Sequence, residues 1–163
     1  MKITFENMST EDGKDIIDIF NYYINNSTYA FPDKTVPYEY FDKFINVTKD
    51  YPAFSIKIKD KIIGFCFLHA YNPLPTFNEC AEITYFIDKE FTGKGIGKMA
   101  LIKLEIEAKK KGIKTILANI SSKNKESLSF HKTNGFVECG RFNGIAKKNG
   151  EQFDIIWMQK QID

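Results

Sequence analysis

The segment Phe91-Thr92-Gly93-Lys94-Gly95-Ile96-Gly97-Lys98 constrains this chain more than any other, because it follows a strand-like run directly and opens a helix-like one. Before it, Ala81 to Asp88 is β-branched and aromatic throughout, with one central carboxylate, Glu82. After it, Met99, Ala100, Leu101, Leu104, Ile106 and Ala108 give the apolar face of a long helix that stops at Gly112. Glycines in such a turn let the backbone approach a ligand closely, and free N–H groups at a helix N-terminus attract phosphate oxygens. The same letters also serve a strand-to-helix turn that merely needs glycine. A dinucleotide fingerprint would lie near the first strand, with an acid about 20 residues later, and this loop is mid-chain. A P-loop would end in Gly-Lys-Ser or Gly-Lys-Thr; here Gly97-Lys98 is followed by Met99, which offers no hydroxyl to magnesium.

Around this centre the chain alternates strand and helix signals. Ile3 to Glu6 reads as a strand, and Ile16, Ile17, Phe20, Tyr23 and Ile24 as the apolar face of a helix ending near Asn25-Asn26. Thr35-Val36-Pro37 is expected to open a second helix with Tyr40, Phe41, Phe44 and Ile45 inward. Phe54 to Ile58 and Ile62 to His69 form a candidate hairpin, and Tyr71 to Asn78, with two prolines, is expected to be loop. Ile116 to Ile120 reads as a buried strand, Asn124 to Lys132 as a short helix, and Phe136 onward as two strands joined at Lys148-Asn149-Gly150. The fold class is therefore mixed α/β, and 163 residues suit one domain spanning 1–163.

Composition excludes more than it assigns. Arg141 is the sole arginine and the net charge is only +2, which argues against nucleic-acid partners. Three cysteines without a C-x-x-C pattern suggest neither a disulfide framework nor a metal site, and His69 and His131 have no ligand partner at helical spacing. No apolar run approaches the ~20 residues of a membrane span, and charge interrupts Met1-Lys2-Ile3-Thr4-Phe5-Glu6 at once, unlike a signal peptide. A cytoplasmic protein with no metal, membrane or nucleic-acid partner is the expectation.

Tyr85-Phe86-Ile87-Asp88 followed by Thr92-Gly93-Lys94-Gly95-Ile96-Gly97-Lys98 resembles the acyl-CoA signature of the GNAT superfamily, Q/R-x-x-G-x-G/A. Downstream, Asn124, Ser127, His131, Gly135 and Phe136 match N-x-x-S-x-x-x-H-x-x-x-G-F. The resemblance covers nearly the whole chain and is closest to the phosphinothricin N-acetyltransferase-like branch. It extends to Asn26-Ser27-Thr28-Tyr29-Ala30-Phe31 after the first helix and to Phe153-Asp154-Ile155-Ile156-Trp157-Met158-Gln159 at the end. One departure is plain: Thr92 stands where glutamine or arginine is usual. The diphosphate contacts of this family come chiefly from backbone amides, which Thr92 does not remove.

The resemblance implies a GNAT fold, with a mixed, mostly antiparallel central sheet and helices on both faces. It implies acetyl-CoA as donor, a small-molecule primary amine as acceptor, direct transfer and a homodimer. Cofactor contacts fall on Phe86, Ile87, Thr92, Gly93, Lys94, Gly95, Ile96, Gly97, Lys98, Asn124 and Ser127, with a backbone amide near Phe86-Ile87 polarising the thioester. Glu82 matches the branch's general base, which amide formation needs because amines are mostly protonated near pH 7. His131 takes the place where many relatives carry a tyrosine that protonates the leaving thiolate. Phe31, Phe77 and Tyr85 are the expected acceptor contacts. An amino acid or analogue of the phosphinothricin or methionine sulfoximine type is the first candidate, although Tyr71 to Asn78 lacks the basic residues that branch usually carries there. Other amines, among them a peptide N-terminus, a polyamine or an aminoglycoside, and a non-catalytic acyl-CoA-binding module, remain alternatives.

Overall fold

A computed structural model describes residues 1–163. Its elements run β1 (Ile3–Asn7), α1 (Gly13–Asn26), α2 (Phe41–Val47), β2 (Ala53–Ile58), β3 (Lys61–Ala70), β4 (Cys80–Ile87), α3 (Ile96–Lys110), β5 (Thr115–Ser121), α4 (Lys125–Thr133), β6 (Val137–Lys148) and β7 (Glu151–Gln161). The seven strands form one sheet in the order β1-β2-β3-β4-β5-β7-β6. Every neighbouring pair is antiparallel except β4 and β5, which are parallel and joined through α3. A parallel pair needs such a crossover, and the helical period after Lys98 supplies it.

Apolar side chains on both faces of β3 explain why helices cover both sides. Phe65 and Phe67 pack with Ile16, Ile17, Phe20 and Ile24 of α1 and with Phe41 and Phe44 of α2. Cys66 and Leu68, alternating with them, pack with Ala100, Leu101, Leu104 and Ala108 of α3. Burying a leucine or phenylalanine in such a layer contributes about 1.5–3 kcal/mol. No helix is long and apolar enough to cross a membrane.

Two local readings need correction. Thr35-Val36-Pro37 does not open the second helix: Pro37 is extended (φ −71°, ψ 164°) and precedes a 3₁₀ turn at Tyr38–Tyr40, from which α2 continues. Tyr71 to Asn78 is not all loop, since Pro75–Phe77 forms one 3₁₀ turn with Pro75 in its tolerated first position.

Candidate active site

β4 and β5 pair over only three residues, Cys80–Glu82 against Thr115–Leu117. Beyond them β4 runs on to Ile87 and β5 to Ser121 without pairing, so the sheet splits into a wedge with Glu82 at its apex. The Asp88 amide donates to Ile63 O on β3 at 2.7 Å. Strand alternation therefore turns the Ile87 amide the other way, into the wedge. The Ile87 carbonyl faces the same side and accepts from the Tyr23 hydroxyl at 2.5 Å.

Two clefts flank the wedge. The larger, 460 Å³, lies against α1, α2 and the loop after α1, and is lined by aromatic groups including Phe20, Phe31, Tyr40, Phe44 and Phe67. Its polar floor holds His69, Glu82, Asn119 and Ser121. The smaller, 310 Å³, runs along Phe91, Thr92, Gly93, Gly95, Ile96, Gly97 and Lys98. Tyr29, Tyr85, Phe86, Asn124, Ser127 and His131 line both, so the clefts meet at one wall.

Glu82 is well placed to move a proton. Its side chain is 16% exposed; Oε1 accepts from Asn119 Nδ2 at 2.6 Å, and Oε2 lies 3.9 Å from His69 Nε2. Burial raises the carboxyl above its ordinary range, while the charge of His69 and the Asn119 hydrogen bond pull it down. Such a balance suits a base that must be ionised near neutrality yet still attract a proton.

The smaller cleft is built for an anion. Gly93 and Gly95 adopt φ +73° and +82°, the left-handed region that a side chain would strain. This turn leaves the amides of residues 93–98 without any hydrogen-bond acceptor in the chain, and the first α3-type bond is Met99 N–H to Gly95 O at 3.2 Å. Six consecutive free donors at a helix N-terminus fit a diphosphate. Thr92 turns its hydroxyl back to Lys89 O at 2.8 Å, closing the preceding turn. Ile96 is buried in the core and offers only its backbone, whereas Lys94 is exposed and lines neither cleft.

His131 is 2% exposed, and burial lowers its pKa. Nδ1 lies 2.7 Å from Ser127 O, an acceptor only, so Nδ1 carries the proton. In the neutral ring Nε2 then accepts, and Tyr85 O–H donates to it at 2.5 Å. Burial pushes the Tyr85 phenol far up, which keeps it protonated. Asn124 caps α4, its Oδ1 accepting from Ser127 N–H at 3.2 Å.

The expected residues thus converge on the two clefts, with Lys94 and Phe77 apart. Phe77 packs edge-on against Tyr71, which abuts Trp157, and lines neither cleft. Sequence reading missed His69 and Asn119 as neighbours of Glu82. The alternation of β3 was the one available signal for His69, since a polar side chain there shares a face with Phe65 and Phe67. No group of three or more His, Cys, Asp or Glu side chains is placed to hold a metal.

A split parallel pair, a free-amide loop and a carboxylate at the apex define an acyltransferase site, and the chain belongs to the acetyltransferase (GNAT) family, whose profile matches residues 16–136. It is an acetyl-CoA-dependent N-acetyltransferase. Among curated relatives it is 25% identical over 152 residues to the L-amino acid N-acyltransferase MnaT of Escherichia coli (strain K12), covering 91% of this chain and 87% of that protein. It is 23% identical over 150 residues to an L-methionine sulfoximine/L-methionine sulfone acetyltransferase of Salmonella typhimurium (strain LT2), covering 91% and 88%. The fold matches a crystal structure of a phosphinothricin acetyltransferase from Sinorhizobium meliloti in complex with acetyl-CoA at TM-score 0.92 and 22% identity, over 99% of this chain and 89% of that one.

Proposed function

We propose that this enzyme acetylates the primary amine of a free amino acid or amino-acid analogue, of the phosphinothricin or methionine sulfoximine type, by direct transfer. The observation that carries the reading is Glu82, largely buried in the polar floor of the aromatic cleft, which shares a wall with the cleft of the free-amide loop. The named relatives support the acceptor class. A polyamine or aminoglycoside fits worse, because Glu82 is the only carboxylate lining the larger cleft.

Acetyl-CoA, when bound, supplies an acetyl group already activated as a thioester. The amides of residues 93 and 95–98 would hold its diphosphate, with Asn124 and Ser127 at the wall the two clefts share and Ile87 beside it in the smaller cleft. Glu82 takes the proton of the incoming ammonium, directly or through a water, leaving a neutral nucleophile. Phe31, Tyr29 and the aromatic wall exclude water from the acceptor's body. His131 serves the site through Tyr85: neutral and pinned by Ser127, it fixes the phenol at the junction. The reading includes a homodimer in the cytoplasm; exposed Val137, Phe142 and Ile145 on the outermost strand β6 support the former.

The test is amine-dependent release of CoA across amino acids and their analogues, with the acetylated product identified by mass. Release with at least one such amine is expected. Acetyl-CoA binding without release for any amine would instead make the chain an acyl-CoA-binding module.

A further inference from the structure

His69 faces Glu82 directly across the β3–β4 ladder, and the register makes them partners. Its Nδ1 lies 3.0 Å from the Ala70 carbonyl, which can only accept, so Nδ1 holds the proton and the neutral ring presents the Nε2 lone pair toward Glu82 Oε2. The separation of 3.9 Å exceeds a hydrogen bond, and one water or a small ring rotation would bridge it. The His69 side chain is 25% exposed against 16% for Glu82, so the imidazole is the more open of the two to solvent. From β5 the neutral Asn119 amide occupies the other oxygen of Glu82. Cys80 lies next along β4, and the only lysine or arginine lining this cleft is Lys43 on α2, beside the Tyr40 ring.

We propose that His69 is the second station of the base, receiving at Nε2 the proton that Glu82 takes from the acceptor amine and passing it to solvent. The inference rests on the acetyl-transfer reading above. No bond other than N–H and O–H changes in these steps. The ammonium loses a proton to the Glu82 carboxylate, the carboxyl loses it to Nε2, and the imidazolium releases a proton to water. Without such an outlet, the proton on Glu82 would leave only through the cleft that holds the product. His69 acts through Glu82 and is a positioning residue in that sense.

The experiment compares the full-length protein with its His69→Gln and His69→Ala variants. First, the Glu82 carboxyl is titrated by ¹³C NMR in the resting protein. When the imidazole carries a proton its charge pulls Glu82 down, so removing the ring should move that titration upward; an unmoved titration overturns the pairing. Second, His69→Gln should lower kcat about tenfold or more. The amine KM should stay within about twofold, and the acid limb of the pH profile should shift upward. A loss confined to KM, or none, overturns the relay. Third, added imidazole should restore kcat in His69→Ala, and failure to restore it in a variant that keeps the wild-type circular dichroism overturns the relay. If the wild type releases no CoA with any amine, the acetyl-transfer reading falls, and the carboxyl titration still decides whether the two residues are coupled.

Discussion

Glu82 is a carboxylate on a strand whose neighbours Ala81 and Ile83 are core residues, and its environment couples function to stability. As the proposed base, it should lower turnover by about 10²–10⁴-fold when replaced in Glu82→Gln, with calorimetric binding of acetyl-CoA retained. The same residue carries a folding cost. Burial raises its pKa on folding, so between the unfolded and folded values the native chain binds more protons than the unfolded one. That contribution is favourable below the unfolded value and is lost as pH rises through the folded one. Glu82→Gln is therefore expected to raise Tm by about 1–3 °C at pH 8 and to make less difference at pH 4, as read by calorimetry. The carboxylate and its strand were legible in the sequence. His69 and Asn119 beside it were not, because each lies on another strand and only the register brings it near.

At the scale of elements, the turn from β4 into α3 and the loop after α1 each wall one of the two clefts. A Cβ at Gly95 would meet nothing within 4 Å, so the cost of Gly95→Ala is dihedral, about 1–2 kcal/mol. That strain should re-aim the free amides and weaken acetyl-CoA binding in calorimetry by about tenfold. Gly97, in the first turn of α3, has no positive φ to strain, and its Cβ would meet Phe130 Cζ at 3.6 Å and Cε1 at 3.7 Å, both ordinary contacts. The acceptor loop is fastened differently. Lys148, buried near the end of β6, donates from Nζ to Ser27 O and Ala30 O, each at 2.8 Å. Lys148→Met leaves both carbonyls without this donor and loosens Tyr29 and Phe31, which line the aromatic cleft. The expected outcome is an amine KM raised about three- to tenfold, with a smaller loss of acetyl-CoA affinity because Tyr29 lines both clefts. The Gly93-to-Lys98 turn could be read locally because glycine and a helix start are local signals. The Lys148 clamp joins residues 118 and 121 positions apart, and no local pattern announces it.

Over the whole molecule, the decisive feature is that the sheet splits between β4 and β5 and opens one cleft toward each helical layer. On the proposed reading both substrates are held at once, since Tyr85, Phe86 and Ser127 line both clefts. Initial velocities at varied acetyl-CoA and amine should give intersecting lines; parallel lines would require a covalent acetyl-enzyme. No cysteine lines either cleft, and burial pushes the Cys66 thiol far up, which leaves it inert. Iodoacetamide is expected to label exposed Cys139 without loss of activity.

Periodicity and glycine placement determined the order of strands and helices, the anion-binding turn and the strand that carries Glu82, because each depends on residues close along the chain. Which side chains surround that carboxylate was decided by tertiary structure alone. Strand order, register and the point where β4 and β5 part company are set by packing between distant segments, and a shift of one residue in register would send Glu82 to the opposite face of the sheet. For the same reason Phe77, attractive in sequence, sits against Tyr71 away from both clefts, while His69, unremarkable in sequence, faces Glu82.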